Sequence, residues 1–591
     1  MKRHAGIMLG AILLVAAAGA AQAQTIYPVN RAEILSGSKF DLKVEFPGAP
    51  PASAISVTIN GADAATVIGK SATVIEREDG GTYSAFWIRD AALATPGRYL
   101  VEAAAGGSKA SVTWEVFDTP PARAKNVILF LGDGMTLAHR TAARILSKGL
   151  VEGRYGGELA IDDMPYMALV STSGTDSVVT DSANSANSMS AYTTGHKSCV
   201  NALGVYCAAN KNSLEHPRVE NISEIVKRLR GMAVGVVTTT EIEDATPAGM
   251  VAHTRRRADF EDIVKMFFAV QPDVIMGGGS PDFVPKSAGG KREDNVDYVR
   301  KFADAGYKYV TTATELAAVG SAGKLLGLFN AGNIDGALDR FFLKKGTVAK
   351  FPDQPDLTEE VRAALDILSR NDRGFVLMVE SGRIDKYSHS LDWERSVYDT
   401  IMLDNAVKVA KEFAAARNDT MIVVVADHAH PTAIIGTYDD SRPGQQLRDK
   451  LGIYQLSVPP NYPAPNAAGY PDNVDVSRRL AFVFGAFPDY CDTGRPISTA
   501  RTSRRSPHQA RISWRTRNTA CRGRRGAPAI CPSTSTTAFM PPTTSCSRPL
   551  DRERTCSTAA STIRGCFELS RLPLGSAAAE YDLCRAHCGF G

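Results

Sequence analysis

Between residues 40 and 46 apolar and charged side chains alternate strictly, as Phe-Asp-Leu-Lys-Val-Glu-Phe, the two-residue period of a half-buried β-strand. Short runs of similar texture follow at 54–59, 82–88, 99–103 and 111–117, separated by Gly, Pro, Asp and Asn clusters. They predict a small Ig-like β-sandwich over residues 24–118, with Thr119-Pro120-Pro121 as a stiff linker. From Lys125 the pattern changes. Unbroken apolar runs of strand length at 127–131, 234–237, 274–276, 375–379 and 421–425 alternate with amphipathic stretches such as 221–228, 358–369 and 396–415. Such strands suit a parallel sheet sandwiched by helices, so residues 124–495 are predicted to form an α/β domain. No repeat of 20–50 residues interrupts it.

The two ends of the chain read differently. Lys2, Arg3 and His4 precede an apolar run over 7–21 and the small-residue site Ala21-Gln22-Ala23, the layout of an export signal cleaved after residue 23. A periplasmic or secreted protein is expected, with no membrane span left after cleavage. Export permits disulfides. Seven of the ten cysteines lie beyond residue 497, leaving Cys199 and Cys207 able to pair and Cys491 without an obvious mate. The net charge of +4 is uneven: residues 497–591 hold fifteen Arg, no Lys and five acidic residues, +10 locally against −6 elsewhere. A mildly acidic body argues against nucleic acid as a specific partner. The Arg-, Ser- and Cys-rich stretch 496–591 reads as a shifted reading frame, with a disordered basic tail as the alternative.

Three apolar runs end on acidic residues: Asp133, Glu380 and Asp427. Ligands of open parallel sheets bind at the carboxyl ends of strands, so these three are expected in one crevice. Clustered carboxylates raise one another's pKa unless cations neutralise them. Asp385 and His389 stand four apart, on one face of a helix, and Asp427 is followed by His428. Carboxylate with imidazole suits zinc, whereas carboxylate with hydroxyl suits magnesium. A single Asp-His pair is more often a capped loop than a ligand; the whole set at strand ends points to a metal site.

Residues 126–135 (NVILFLGDGM), 179–183 (VTDSA), 243–257 (EDATPAGMVAHTRRR), 380–389 (ESGRIDKYSH) and 426–430 (ADHAH) together resemble the signatures of the alkaline phosphatase family, in that family's order. The resemblance is to its bacterial exported type with an N-terminal β-domain. It implies hydrolysis of small phosphate monoesters through a phosphoserine, at a site of two Zn2+ and one Mg2+, in a chain that can pair as a homodimer. By position, Asp133 would bridge one zinc and the magnesium, Asp427 and His428 would hold that zinc, and Asp385 and His389 the other. Thr246 and Glu380 would complete the magnesium site. Ser182 is the expected nucleophile. The tandem Ser-Ala-Asn triplet at 182–187 leaves Ser185 as a competitor, reached by counting back from Thr194-Gly195. Arg257, eleven residues after Thr246, is the expected phosphate clamp, ahead of Arg255 and Arg256.

One departure stands out. The family's further zinc histidine, well after the Asp-His motif, has no counterpart in context: after His430 come only His508 and His587. Loss of a ligand to the outer zinc would weaken metal binding and activity. A related phosphodiesterase and a non-catalytic product whose β-domain binds at the cell surface are the alternatives. A sulfatase would need a Cys/Ser-x-Pro-x-Arg setting, absent at Asp181-Ser182.

Overall fold

The computed structural model describes residues 24–177, 185–453 and 457–485. The expected signal segment, Ser182 and the tail beyond 485 lie outside the described residues.

Residues 25–117 form two sheets packed face to face. One has the strand order Thr25–Tyr27, Phe40–Pro47, Tyr83–Ala91, Thr73–Ile75; the other runs Glu33–Leu35, Ser108–Phe117, Gly97–Ala105, Ser56–Ile59, Ala62–Asp63. Pairings are antiparallel except between Glu33–Leu35 and Ser108–Phe117. Ile34, Leu42, Val44, Phe46, Ile59, Val101 and Trp114 fill the space between the sheets. The strand Phe40–Pro47 is not half-buried as its alternation predicts. Asp41, Lys43 and Glu45 on its polar side are buried too, because a loop from the following domain covers them. In that loop the Ala209 and Arg218 amides donate to Glu45 (2.8 Å) and Asp41 (3.1 Å). Alternation marked the two faces correctly; coverage by a distant segment changed what one face meets.

Beyond the linker, seven strands build one parallel sheet: β1 (Asn126–Gly132), β2 (Ala233–Glu241), β3 (Val274–Gly278), β4 (Lys308–Val310), β5 (Leu325–Leu328), β6 (Phe375–Ser381) and β7 (Thr420–Val425). Their spatial order is β4-β5-β3-β2-β6-β1-β7, with every neighbouring pair parallel. Apolar cores lie on both faces, as unbroken apolar strands require. The helices that matter for the site are α1 (Leu137–Lys148), α2 (Ser185–Thr194), α3 (Ala245–Ala248), α4 (Arg383–His389) and α5 (Trp393–Arg417). The stretches predicted at 221–228 and 358–369 are the helices Ile222–Arg230 and Leu357–Leu368, each opened by a reciprocal capping box, Asn221 with Glu224 and Asp356 with Glu359. Cys199 and Cys207 form a disulfide. Among the described residues no helix is long and apolar enough to cross a membrane.

Candidate metal centre

The carboxyl ends of β2, β6, β1 and β7, four successive strands running to one edge of the sheet, lie side by side, and the side chains converge there. Asp133 follows β1 directly, Glu380 is the penultimate residue of β6, and Asp427 stands two residues past β7. Gly134 (φ +63°) lets the chain turn away from β1: a Cβ there would come within 2.5 Å of the His430 ring. The Gly134 amide donates to Asp427 at 3.0 Å, tying the ends of β1 and β7 together. His428 Nε2 lies 3.3 Å from Asp133 Oδ1, 3.5 Å from Asp427 Oδ2 and 3.8 Å from Asp385 Oδ1. One helical turn apart on α4, Asp385 Oδ1 and His389 Nε2 are 3.3 Å apart. Glu380 accepts from Thr238, on β2, and from Thr240 at 3.2 Å. Thr246, on α3, stands beside Glu380, close enough to affect its carboxyl but outside hydrogen-bond geometry.

The electrostatics are unbalanced. Burial pushes the Asp133 carboxyl well up, and the charges of Asp385, Asp427 and Glu380 push it further. Burial likewise lifts Glu380 to about 7, against the hydrogen bond from Thr238 and with the charge of Asp244 adding to the rise. Asp385 goes the other way: despite burial, hydrogen bonds from His389 and His430 hold it below the ordinary range. Two cations border the cluster. Lys386 Nζ and Arg257 Nη2 share Asp244, at 2.7 and 2.5 Å. Burial opposes the charge of each, but Asp244 and then Asp133 and Asp385 keep both protonated.

The unmet groups have the chemistry of a cation site. Asp133 Oδ1, Asp427 Oδ2, His428 Nε2 and Thr246 Oγ1 are buried with no hydrogen-bond partner, although buried polar groups are nearly always paired. Ligands about 2.0–2.2 Å from a tetrahedral zinc stand about 3.3–3.6 Å from one another. The separations of 3.3 and 3.5 Å around His428 and 3.3 Å between Asp385 and His389 fit that edge. His430 Nε2, at 2.6 Å from Asp385 Oδ1, is too close for both atoms to bind one ion and is instead hydrogen-bonded to that carboxylate. Thr246 and Glu380, hydroxyl and carboxylate, suit magnesium.

The family model for alkaline phosphatase matches residues 124–451, more than half of the chain. The chain belongs to the alkaline phosphatase family. It is 36% identical over 345 residues to the tissue-nonspecific alkaline phosphatase of Gallus gallus, an alignment covering 52% of this chain but 64% of that relative. It is thus similar to a protein of which it spans less than two thirds. With the alkaline phosphatase of Escherichia coli strain K12 it shares 32% identity over 394 residues, covering 59% of this chain and 79% of the relative. Among solved structures, Thermus thermophilus alkaline phosphatase is 30% identical with a TM-score of 0.47, covering 54% of this chain and 62% of that one.

Of the residues expected from the sequence of this alkaline phosphatase family member, Asp133, Thr246, Glu380, Asp385, His389, Asp427 and His428 lie in the one crevice. Arg257 borders it. Arg255 is turned to the Val200 carbonyl (2.8 Å), and Arg256 is 71% exposed beside Asp259. Ser182 falls outside the described residues; Ser185 is the first residue of α2 and is buried. Asp244, Lys386, His430 and Thr238 were not singled out by sequence. The first three sit within quoted motifs, Asp244 two residues before Thr246, Lys386 directly after Asp385 and His430 closing ADHAH, whereas Thr238 follows the apolar run 234–237.

Proposed function

We propose that the chain is a metal-dependent phosphatase that hydrolyses phosphate monoesters through a phosphoserine, at two zinc ions and one magnesium. The observation that carries this reading is the set of buried, partnerless ligand atoms at the ends of β1 and β7 and on α3. Asp427 and His428, with Asp133, would hold one zinc, and Asp385 with His389 the other; Asp133, Thr246 and Glu380 would hold magnesium. When bound, the ions would neutralise the carboxylates, lower the pKa of the attacking group and stabilise the leaving oxygen.

The protein's own part is orientation. Arg257 presents a planar fork suited to two phosphate oxygens, and Asp244 braces it from behind. Lys386, held by the same carboxylate, places a second positive charge beside Asp385 at 3.8 Å. The serine comes from the repeated triplet, Ser182 or Ser185, where the amino end of a helix favours an anion.

The test uses the full-length, metal-loaded chain with a 32P-labelled monoester, beside Ser182→Ala and Ser185→Ala. The expected result is label on serine in the parent and its loss in one of the two variants. A metal-loaded parent that never acquires label would sink the phosphoserine route. Faster turnover of a bis-ester than of the monoester would favour the phosphodiesterase instead.

One observation favours a weakened form of this activity. On the His389 side the described residues offer Asp385 and His389, while His430 is engaged with Asp385. The outer ion would then have two protein ligands, and metal content would fall short of three per chain at micromolar zinc. An export signal at 1–23 and pairing of two copies remain parts of the same proposal, checked by the mature N-terminus and by solution mass.

A further inference from the structure

The residues proposed to hold the two zinc ions come from three separate pieces of chain: the turn after β1, helix α4 and the loop after β7. A single hydrogen-bonded chain joins these pieces behind the ligands. Thr136 lies three residues past Asp133, Ser388 directly before His389, and Thr432 two residues past His430. The hydroxyls of Thr136 and Thr432 are 2.6 Å apart. The Thr136 amide and hydroxyl lie 3.1 and 2.9 Å from His139 Nδ1. On the other side of the ring, Nε2 is 3.1 Å from Ser388 Oγ. That hydroxyl donates to the Ile384 carbonyl at 2.7 Å, so it accepts from the imidazole. His139 therefore carries its proton on Nε2, toward α4, and accepts on Nδ1 from the β1 turn.

The ring is fully buried, its centroid 5.2 Å from that of Phe482, so water cannot replace a missing partner. An imidazole that donates on one side and accepts on the other links the β1 turn to α4, whereas the loop after β7 is also tied directly to each by the Gly134–Asp427 and His430–Asp385 bonds. Its plainer role is already visible: with Thr136 it forms the capping box of α1, which explains an accepting Nδ1. A cap does not explain the bond to Ser388 on a helix remote in sequence.

We propose that His139 is a positioning residue for the cation site, fixing α4, and with it Asp385 and His389, at the spacing from Asp133 and His428 that two ions require. The inference rests on the metal-site reading above and adds to it a residue that touches no ion. Groups that orient ligands commonly contribute 10- to 100-fold to metal affinity.

The test titrates Co2+ into the full-length apo chain and follows its visible absorption, which reports ligand geometry, in the parent, His139→Ala, His139→Gln and Ser388→Ala. His139→Ala is expected to bind Co2+ about 10- to 100-fold more weakly with altered bands. His139→Gln, which returns an N–H near the Nε2 position, recovers most of the affinity. Ser388→Ala leaves the α1 cap intact and shows the same spectral change to a smaller degree; it decides the matter if His139→Ala does not fold. Parent-like Co2+ affinity and bands in Ser388→Ala, or in a folded His139→Ala, overturn the inference and leave the cap as the residue's whole role. A parent that takes up no Co2+ overturns the metal-site reading, and this inference with it.

Discussion

Two buried clusters of charge, one in each half of the molecule, are built from similar residues and come out differently. In the β-sandwich, Lys43 is fully buried between Glu78 (2.7 Å) and Glu45 (3.1 Å), over the ring of Trp87. Its carboxylates have donors: Lys43 and Ala209 for Glu45, whose second oxygen lies 3.5 Å from the Tyr27 hydroxyl, and Lys43 and Trp87 for Glu78. In the crevice, Asp133, Asp427, His428 and Thr246 each keep a buried atom with no partner. Desolvated charge persists only when something compensates it. The first cluster finds that compensation within the chain and reads as structure. The second leaves it unmet among the described residues, which is the compensation the proposed ions would supply.

That contrast is open to test, beginning with the largest effect. Lys43→Met removes the cation and leaves two buried glutamates facing each other. It is expected to cost about 3–5 kcal/mol in urea unfolding, with metal per chain unchanged. A parallel fall in metal content would show that the sandwich cluster also supports the crevice. Chelation makes the converse cut. Ions that bind only the folded chain stabilise it by about 2.7 kcal/mol at a free concentration of 100 times Kd. EDTA is therefore expected to lower stability by that order in parent and Lys43→Met alike, and no shift with EDTA would mean that the crevice compensates its charge unaided. A smaller effect is expected at the crevice's edge. Arg257→Ala removes charge-assisted hydrogen bonds worth about 1.5–3 kcal/mol. This should appear as weaker inhibition by inorganic phosphate and lower kcat/KM for a monoester, while Lys386 keeps Asp244 paired and the fold intact.

The difference between the clusters also explains what could be read from sequence. Asp133, Glu380 and Asp427 were legible because an apolar run ending in a carboxylate is a local pattern, and the parallel sheet brings strand ends together. Asp385 and His389 were legible through helical spacing. Lys43 was not, because the loop over 206–218 that covers it is more than 160 residues away in sequence. Asp244 and Lys386 escaped notice for a related reason: their role is to pair with each other and with Arg257, and pairing partners leave no period. Strands β4 and β5 did not stand out because Lys308 and Tyr309 leave β4 without an apolar run and Gly327 interrupts that of β5. Thr238 lay just past the end of a strand predicted to stop at 237.

Acid sensitivity supplies the smallest test, and it too separates the two halves. The sandwich contains no histidine between Gln24 and Phe117, whereas burial lowers His196 to about 4 in the α/β domain, where its Nδ1 lies 2.7 Å from the Tyr206 hydroxyl. In the unfolded chain the same imidazole titrates near its ordinary value of about 6.5. Above that pH it is neutral in both states and contributes its full share. As pH falls toward 4 the unfolded chain takes up a proton that the folded chain refuses, and stability drops by about 1.4 kcal/mol per unit. Below about 4 both states are protonated and the loss stops. His196→Gln, compared with the parent by urea unfolding at pH 7.5, 5.5 and 4.5, should therefore show a shallower decline, less steep by about 1.4 kcal/mol per pH unit between 5.5 and 4.5. An identical slope in the two proteins would mean that His196 takes up its proton in the folded state, and would leave acid sensitivity to His139 and His216, which burial also lowers, and to Asp244, held low beside Lys386 and Arg257.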